Sequence, residues 1–359
     1  MVRVGLIARA DYTGLGMQTH AFYRHMNPFR TLVVDLSHLN NQKNDWNRYP
    51  GAQVLKYTPY PEPTRGQCAE SKRIIDEFLD GVDLVFTCET PYDYYLITEA
   101  RKRGIRTVLQ YNFEFLDHVR DHNLPQPDLF MAPSLWRFDD VPFANKTFLP
   151  VPVDRSQFPF KKRTEANHFL HIGGIPTGED RNGTLALMEA WRHVQSDAQL
   201  TIRTQSRFKG NMDSRINIVS AVTQDSAELY ESGDVFIMPR KFGGLCLPLN
   251  EALSCGMPTV MSNVSPQSGF LRPELLVDAT HSKQIMTKSM IDVYEINQLD
   301  MATKVDELYK RPELVEELSE WSNQIAESIS WERLAPVYKR VFVEVMEGRV
   351  PKTPFAWGD

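Results

Sequence analysis

The densest chemistry in this 359-residue sequence lies in one stretch, Gly233-Asp-Val-Phe-Ile-Met-Pro-Arg-Lys-Phe-Gly-Gly-Leu-Cys-Leu-Pro-Leu-Asn-Glu-Ala. A buried-strand pattern empties into a loop holding two bases, Arg240 and Lys241, and two glycines, Gly243 and Gly244. Cationic side chains at such a point can neutralise a phosphate. The amides of Gly244 and Leu245 can donate hydrogen bonds to a ligand lying over the loop. Glu251, one turn into the helix that follows, can accept from a vicinal diol. Together these groups suit a nucleotide diphosphate with its ribose and a sugar.

A second glycine pair stands in Ala10-Asp-Tyr-Thr-Gly-Leu-Gly-Met, where Gly14 and Gly16 would let backbone approach a ligand at a helix N-terminus. No third glycine follows in the dinucleotide spacing, which argues against a nicotinamide site. Glu89 sits at the mouth of a strand, in Cys88-Glu-Thr-Pro; it either faces the site or primes the helix opened by Thr90-Pro91. Asn112 and Glu114 share a side if their segment stays extended. His118 and His122, at i and i+4, have metal-ligand spacing, but the acids and arginine around them read as a solvated helix, so no metal site is expected. His20 reads as a packed helix histidine.

These residues need a scaffold, and the apolar pattern supplies it. Strands are predicted at 2–8, 31–36, 83–87, 106–111 and 129–131, with helices at 17–26, 70–79 and 92–103 between them. A Pro- and charge-rich break, Phe148-Leu-Pro-Val-Pro-Val-Asp and then Phe158-Pro-Phe-Lys-Lys-Arg, reads as a linker. The alternation then restarts, with strands at 169–172, 199–204, 235–238 and 259–261 and helices at 183–194, 226–231 and 250–255. The segment 301–342 is helical, with Leu314, Val315, Leu318 and Trp321 as core. The expected fold is α/β, with two Rossmann-like domains facing each other across a deep cleft. Their expected bounds are 1–155 and 156–328, and a C-terminal helix at 329–359 packs back on the first domain. Ligands in such sheets sit at the carboxyl ends of the strands.

Composition excludes several classes. Lys+Arg 40 against Asp+Glu 46 leaves −6, and the first 150 residues hold 17 bases and 18 acids, so no basic footprint invites a polyanion. Four cysteines without a CxxC pair (Cys68, Cys88, Cys246, Cys255) suit a reducing, cytoplasmic setting. No run approaches the roughly 18 apolar residues of a membrane span.

The 239–260 stretch resembles the donor-site signature of the retaining GT-B glycosyltransferases of the family 4 type, the glycosyl transferases group 1. Their pattern is a strand ending in Pro, then Glu-Gly-Phe-Gly-Leu-Pro, a helical Glu and Ala-x-x-x-Gly-x-Pro-x-Val. Pro239, Gly244, Leu247, Pro248, Glu251, Ala252, Gly256, Pro258 and Val260 match it without a gap. Gly14/Gly16, Leu149-Pro-Val-Pro-Val-Asp, His171-Ile-Gly-Gly with Arg181-Asn-Gly, and Ser330-Trp-Glu-Arg extend the likeness along the chain. Two departures stand out. Gly243 replaces the first of the family's two glutamates, and Gly174 and Asn182 stand near its usual phosphate-binding Arg and Lys.

The resemblance implies transfer of a sugar from a UDP- or GDP-sugar to an acceptor hydroxyl, with retention and without a metal or other cofactor. Gly14, Gly16, Gly173, Arg181, Arg240, Lys241, Gly243, Gly244, Leu245 and Glu251 would bind the donor, with Glu251 on the ribose. Glu114, Asn112 and Glu89 are the catalytic and acceptor-side candidates. The acceptor class (glycan, small molecule, protein or modified nucleic acid) stays open. Alternatives are a hydroxylated DNA base as acceptor, a non-catalytic nucleotide-sugar-binding protein and a nucleotide-sugar epimerase.

Overall fold

Short apolar runs buried on both faces make the strands here, which is the signature of parallel sheets covered by helices. Leu84–Cys88 and Val235–Met238 are each buried at every position. The computed structural model describes residues 2–37, 43–56, 69–89, 92–174, 179–205, 213–220 and 226–357. Cys68 and Thr90-Pro91 lie outside the described residues.

Seven parallel strands build the first sheet: β1 (Val4–Ala8), β2 (Arg30–Asp35), β3 (Gln53–Lys56), β4 (Leu84–Cys88), β5 (Arg106–Gln110), β6 (Leu129–Ala132) and β7 (Lys146–Phe148). Their spatial order is β3-β2-β1-β4-β5-β6-β7. Helices α1 (Gly14–Met26), α2 (Ala69–Leu79) and α3 (Tyr94–Lys102) connect them. Thr13 caps α1 by accepting from the Gly16 amide, and Asn27 ends it in the left-handed region.

The second sheet repeats the plan. It orders β8 (His168–Gly174), β9 (Gln199–Thr204), β10 (Ile216–Ser220), β11 (Val235–Met238), β12 (Thr259–Ser262) and β13 (Leu276–Val277) as β10-β9-β8-β11-β12-β13. This is the doubly wound arrangement, whose switch points are β1/β4 and β8/β11. Helices α4 (Thr184–Trp191) and α5 (Leu247–Ser254) belong to it. An antiparallel hairpin, β14 (Ala279–Met286) and β15 (Met290–Ile296), interrupts the α/β repeat and has no counterpart in the predicted elements.

The long helical segment is three helices, α6 (Gln298–Lys310), α7 (Pro312–Ser328) and α8 (Trp331–Met346). Pro312 starts α7 at a position where its missing N–H costs nothing. Leu314, Val315 and Leu318 join the second core, with Trp321 packed at its margin. The chain divides into two units, Met1–Val151 with Glu332–Ala356, and Pro152–Trp331 with Trp357–Asp359. In the first unit, Tyr338 of α8 is fully buried edge-on against Phe22 and Phe86. No helix among the described residues is long and apolar enough to cross a membrane.

Candidate active site

Strand β11 ends at the β8/β11 switch point, and the loop after it carries the basic residues. Arg240 is almost wholly buried and braces its own loop: Nε donates to the Phe242 carbonyl (3.0 Å) and Nη1 to the Leu245 carbonyl (2.6 Å). Its Nη2 points at Gly243. So does Nη2 of Arg181, and a Cβ at Gly243 would lie 2.5 Å from each. The two tips are therefore within about 5 Å of one another, and Gly243 has φ +109°. Arg181 also lies over the Phe242 ring, 5.6 Å from its centroid. Only a glycine lets two guanidinium tips converge on this point of the loop, and together they concentrate positive charge there.

Lys241 behaves differently. Its ammonium sits 2.8 Å from Glu295 and 3.6 Å from Asp180, and its carbonyl accepts from the Tyr294 amide (3.1 Å). The residue expected on a phosphate thus ties the loop to hairpin strand β15. Asp180 also closes the N-terminus of α4, where its carboxylate accepts from the Leu185 and Ala186 amides. That helix end is occupied by a side chain.

Gly183, at φ +72°, could carry no side chain, because its Cβ would meet the Pro239 carbonyl oxygen at 2.1 Å. Gly173 packs against Thr184, and its carbonyl accepts from Asn182 Nδ2 (3.1 Å). Between them, fully buried His171 joins β8 to β11 and α4. Its Nδ1 faces the Ile237 carbonyl (2.8 Å) and its Nε2 the Thr184 hydroxyl (2.8 Å). A carbonyl only accepts, so Nδ1 carries the proton and Nε2 accepts from Thr184. Burial pushes this imidazole down to about 4, so it stays neutral.

Glu251 lies in the second turn of α5, and Oε2 accepts from the Tyr230 hydroxyl at 2.5 Å. Burial raises its carboxyl to about 7, against the lowering effect of that hydrogen bond. Tyr230 comes from the single 3-10 turn Ser226–Tyr230, where the apolar pattern predicts an α-helix. No local signal marks it, since its partner is 21 residues away. Gly244 and Leu245 stand in the loop just before α5, and the Leu245 carbonyl is held by Arg240.

In the first unit the β1/β4 switch gathers Gly14, Gly16 and Glu89. Gly16 is demanded by packing, since its Cβ would lie 2.1 Å from the Asp11 carbonyl oxygen. Arg48 Nη1 braces the same carbonyl (2.6 Å), and buried Asp11 pairs with Arg9 (Nε to Oδ2, 2.7 Å). Arg9, Asp11 and Arg48 carry no motif that marks them along the chain. Glu89 has φ +69°, an uncommon backbone state for a non-glycine residue. Asn112 Nδ2 reaches Glu89 Oε1 at 3.4 Å, bringing two candidates together.

Asn112 and Glu114 do not share one side of an extended segment, as strand alternation would have them. Strand β5 stops at Gln110 and Phe113–Phe115 forms a 3-10 turn, in which Glu114 is buried. The helix expected around His118 is also only a 3-10 turn, Asp117–Val119. His118 is buried, with Nε2 on the Pro125 carbonyl (3.0 Å) and Tyr94 and Phe130 edge-on to its ring. Among the described residues no three His, Cys, Asp or Glu side chains are grouped to hold a metal ion. His20 packs between Tyr23 and Tyr49.

The arginine pair, Glu251 and the loop between them lie inside one recognisable segment. Residues 166–295 match the family model Glycosyl transferases group 1. The matched segment runs from just before β8 into β15, within the second unit. Against curated proteins the sequence finds no match. Solved structures resemble the whole fold at low identity. HepE of Anabaena in complex with UDP has a TM-score of 0.71 and 9% identity over 96% of this chain and 100% of that one. Sucrose-phosphate synthase from Thermosynechococcus elongatus gives 0.66 and 13% over 96% and 100%. The lipopolysaccharide outer core galactosyltransferase WaaB, apo form, gives 0.61 and 13% over 96% and 99%. The fold is GT-B.

Proposed function

We propose that the chain is a retaining glycosyltransferase that moves a sugar from a nucleotide diphosphate to an acceptor hydroxyl. The observation that carries this reading is the meeting of Arg181 and Arg240 at Gly243, ahead of the helix that presents Glu251. In this reading the two guanidiniums take the diphosphate charge, Glu251 takes the ribose diol, and no metal or other cofactor takes part. HepE is known in complex with UDP and with UDP-glucose, which supports a uridine nucleotide as the first probe.

The transfer is a same-face substitution. The bond from the anomeric carbon to the acceptor oxygen forms, the bond to the phosphate oxygen breaks, and the acceptor proton passes to the leaving phosphate. Protein groups then act by orienting the partners and by stabilising the diphosphate as it gains charge. Glu89 and Asn112 are the acceptor-side groups, with Glu114 buried beside them in sequence.

Incubating the protein with UDP- and GDP-sugars, alone and with acceptor panels, tests the reading. Nucleotide release that depends on Arg181 and Arg240, with an axial or equatorial anomeric linkage unchanged from donor to product, is the expected result. Tight binding without release or transfer across the panel would favour a binding protein. Interconversion of the sugar without an acceptor would mark an epimerase.

A further inference from the structure

We infer that Tyr230 is the positioning residue of the nucleotide site: it holds one oxygen of Glu251 so that the carboxylate offers the other to a ribose diol, and the site thereby selects ribonucleotides. The inference rests on the donor reading above. It stands on three observations. The phenol donates to Oε2 of Glu251, a bond that is charge-assisted when the carboxyl is ionised. The Tyr230 ring is nearly inaccessible, packed edge-on to Phe158 (5.7 Å, 90°) and tilted on Phe236 (6.4 Å, 46°). Glu251 as a residue is only partly buried, and the bond from the phenol engages Oε2 and not Oε1.

The pinning decides what the free oxygen can do. A carboxylate with both oxygens free rotates about its last torsion, which is broad and roughly two-fold. With Oε2 committed to a phenol, Oε1 keeps a fixed direction, and a vicinal diol can donate to it without paying for that ordering. A 2′,3′-dideoxynucleotide has no hydroxyl to donate and gains nothing from the arrangement. The groups that face this pair are the thiols of Cys255 and Cys246, at the two ends of α5, and Arg163 beyond Cys255, which reaches the Cys255 carbonyl at 3.4 Å. Burial raises the Cys255 thiol to about 12, so it carries no charge near neutrality. Tyr230 is likewise held well above its ordinary range by burial, then by the Glu251 charge, and remains a donor.

The experiment is Tyr230→Phe in the full chain, with UDP, GDP and their 2′,3′-dideoxy forms titrated by calorimetry from pH 6 to 8.5. Removing the hydroxyl while keeping the ring is expected to weaken the preferred ribonucleotide about tenfold. The dideoxy form should bind wild type and variant alike, so the preference for the diol shrinks by the same factor. The pH at which ribonucleotide binding is half-maximal should also move upward, because the phenol favours the ionised carboxylate. Equal losses for ribo and dideoxy forms would mean that Tyr230 only supports the fold, and an unchanged ribonucleotide affinity would mean that it positions nothing. Either result overturns the inference and leaves the donor site standing. Failure of wild type to bind any of the four nucleotides would overturn both.

Discussion

Lys241 leaves the loop after β11 to pair with Glu295 on hairpin strand β15, 2.8 Å away, while Asp180 approaches the same ammonium at 3.6 Å. A cation already flanked by two carboxylates has little charge left for a ligand. Lys241→Met is therefore expected to weaken UDP binding by less than about threefold, whereas Arg181→Met should weaken it about tenfold or more. Parallel titrations of the two variants check this ordering. Equal losses would return Lys241 to the phosphate.

Glu251 sets function against stability. Its folded carboxyl lies at about 7, above the ordinary 4.5, because burial disfavours the charge. The folded state therefore binds more protons than the unfolded one between those values, and stability falls as pH rises from about 4.5 through 7. Glu251→Gln keeps an acceptor for Tyr230 but removes the charge. It should raise the unfolding free energy by about 1–2 kcal/mol at pH 8, and by nothing at pH 4. Thermal melts at the two pH values measure this, and the same variant should lose about tenfold in nucleotide affinity.

Gly183 and Gly51 share a left-handed backbone, at +72° and +76°, but differ in surroundings. A Cβ at Gly183 would strike the Pro239 carbonyl oxygen, whereas Gly51 faces open space. Gly51→Ala should cost about 1 kcal/mol, the conformational penalty alone. Gly183→Ala should cost about 3 kcal/mol or more and displace the end of β11. Urea unfolding of both variants would expose a shared cause if the two costs came out equal.

His171 makes the second unit sensitive to acid. Its folded value of about 4 lies below the ordinary 6.5, since burial excludes the charged ring. The stability this represents is complete above pH 6.5 and is lost as pH falls toward 4. His171→Gln, which keeps a donor and an acceptor, should lower stability at pH 7.5 but flatten its decline between pH 6.5 and 4. A decline as steep as that of wild type would assign the acid sensitivity elsewhere, for instance to His20, also held at about 4 by burial, then by Arg48 and Arg24.

What is legible in the sequence is what depends on burial. Strands such as β4 and β11 have water on neither face, so their residues are uniformly apolar and stand out. Strand β3 is short, at the sheet edge, and largely exposed along Gln53–Lys56, so it leaves no such trace. Strand β14 is polar and exposed over most of its length, and its hairpin escapes the pattern for the same reason. At the candidate site, Arg240 and Glu251 are visible because their types are chemically suggestive. Tyr230, Asp180 and Glu295 act through partners brought close only by the fold, and no spacing along the chain announces that.

The two units also differ in when their cores can close. All strands and helices of the second unit are encoded between Pro152 and Trp331, whereas the first keeps Tyr338 of α8 against Phe22 and Phe86 and takes its own last segment from Glu332–Ala356. During synthesis the N-terminal sheet emerges first, but Tyr338 can reach Phe22 and Phe86 only after the strands of the second unit have been made. The downstream unit can fold in the meantime. The unit begun first therefore completes its aromatic core only after the strands and the helix α7 of the other have been made.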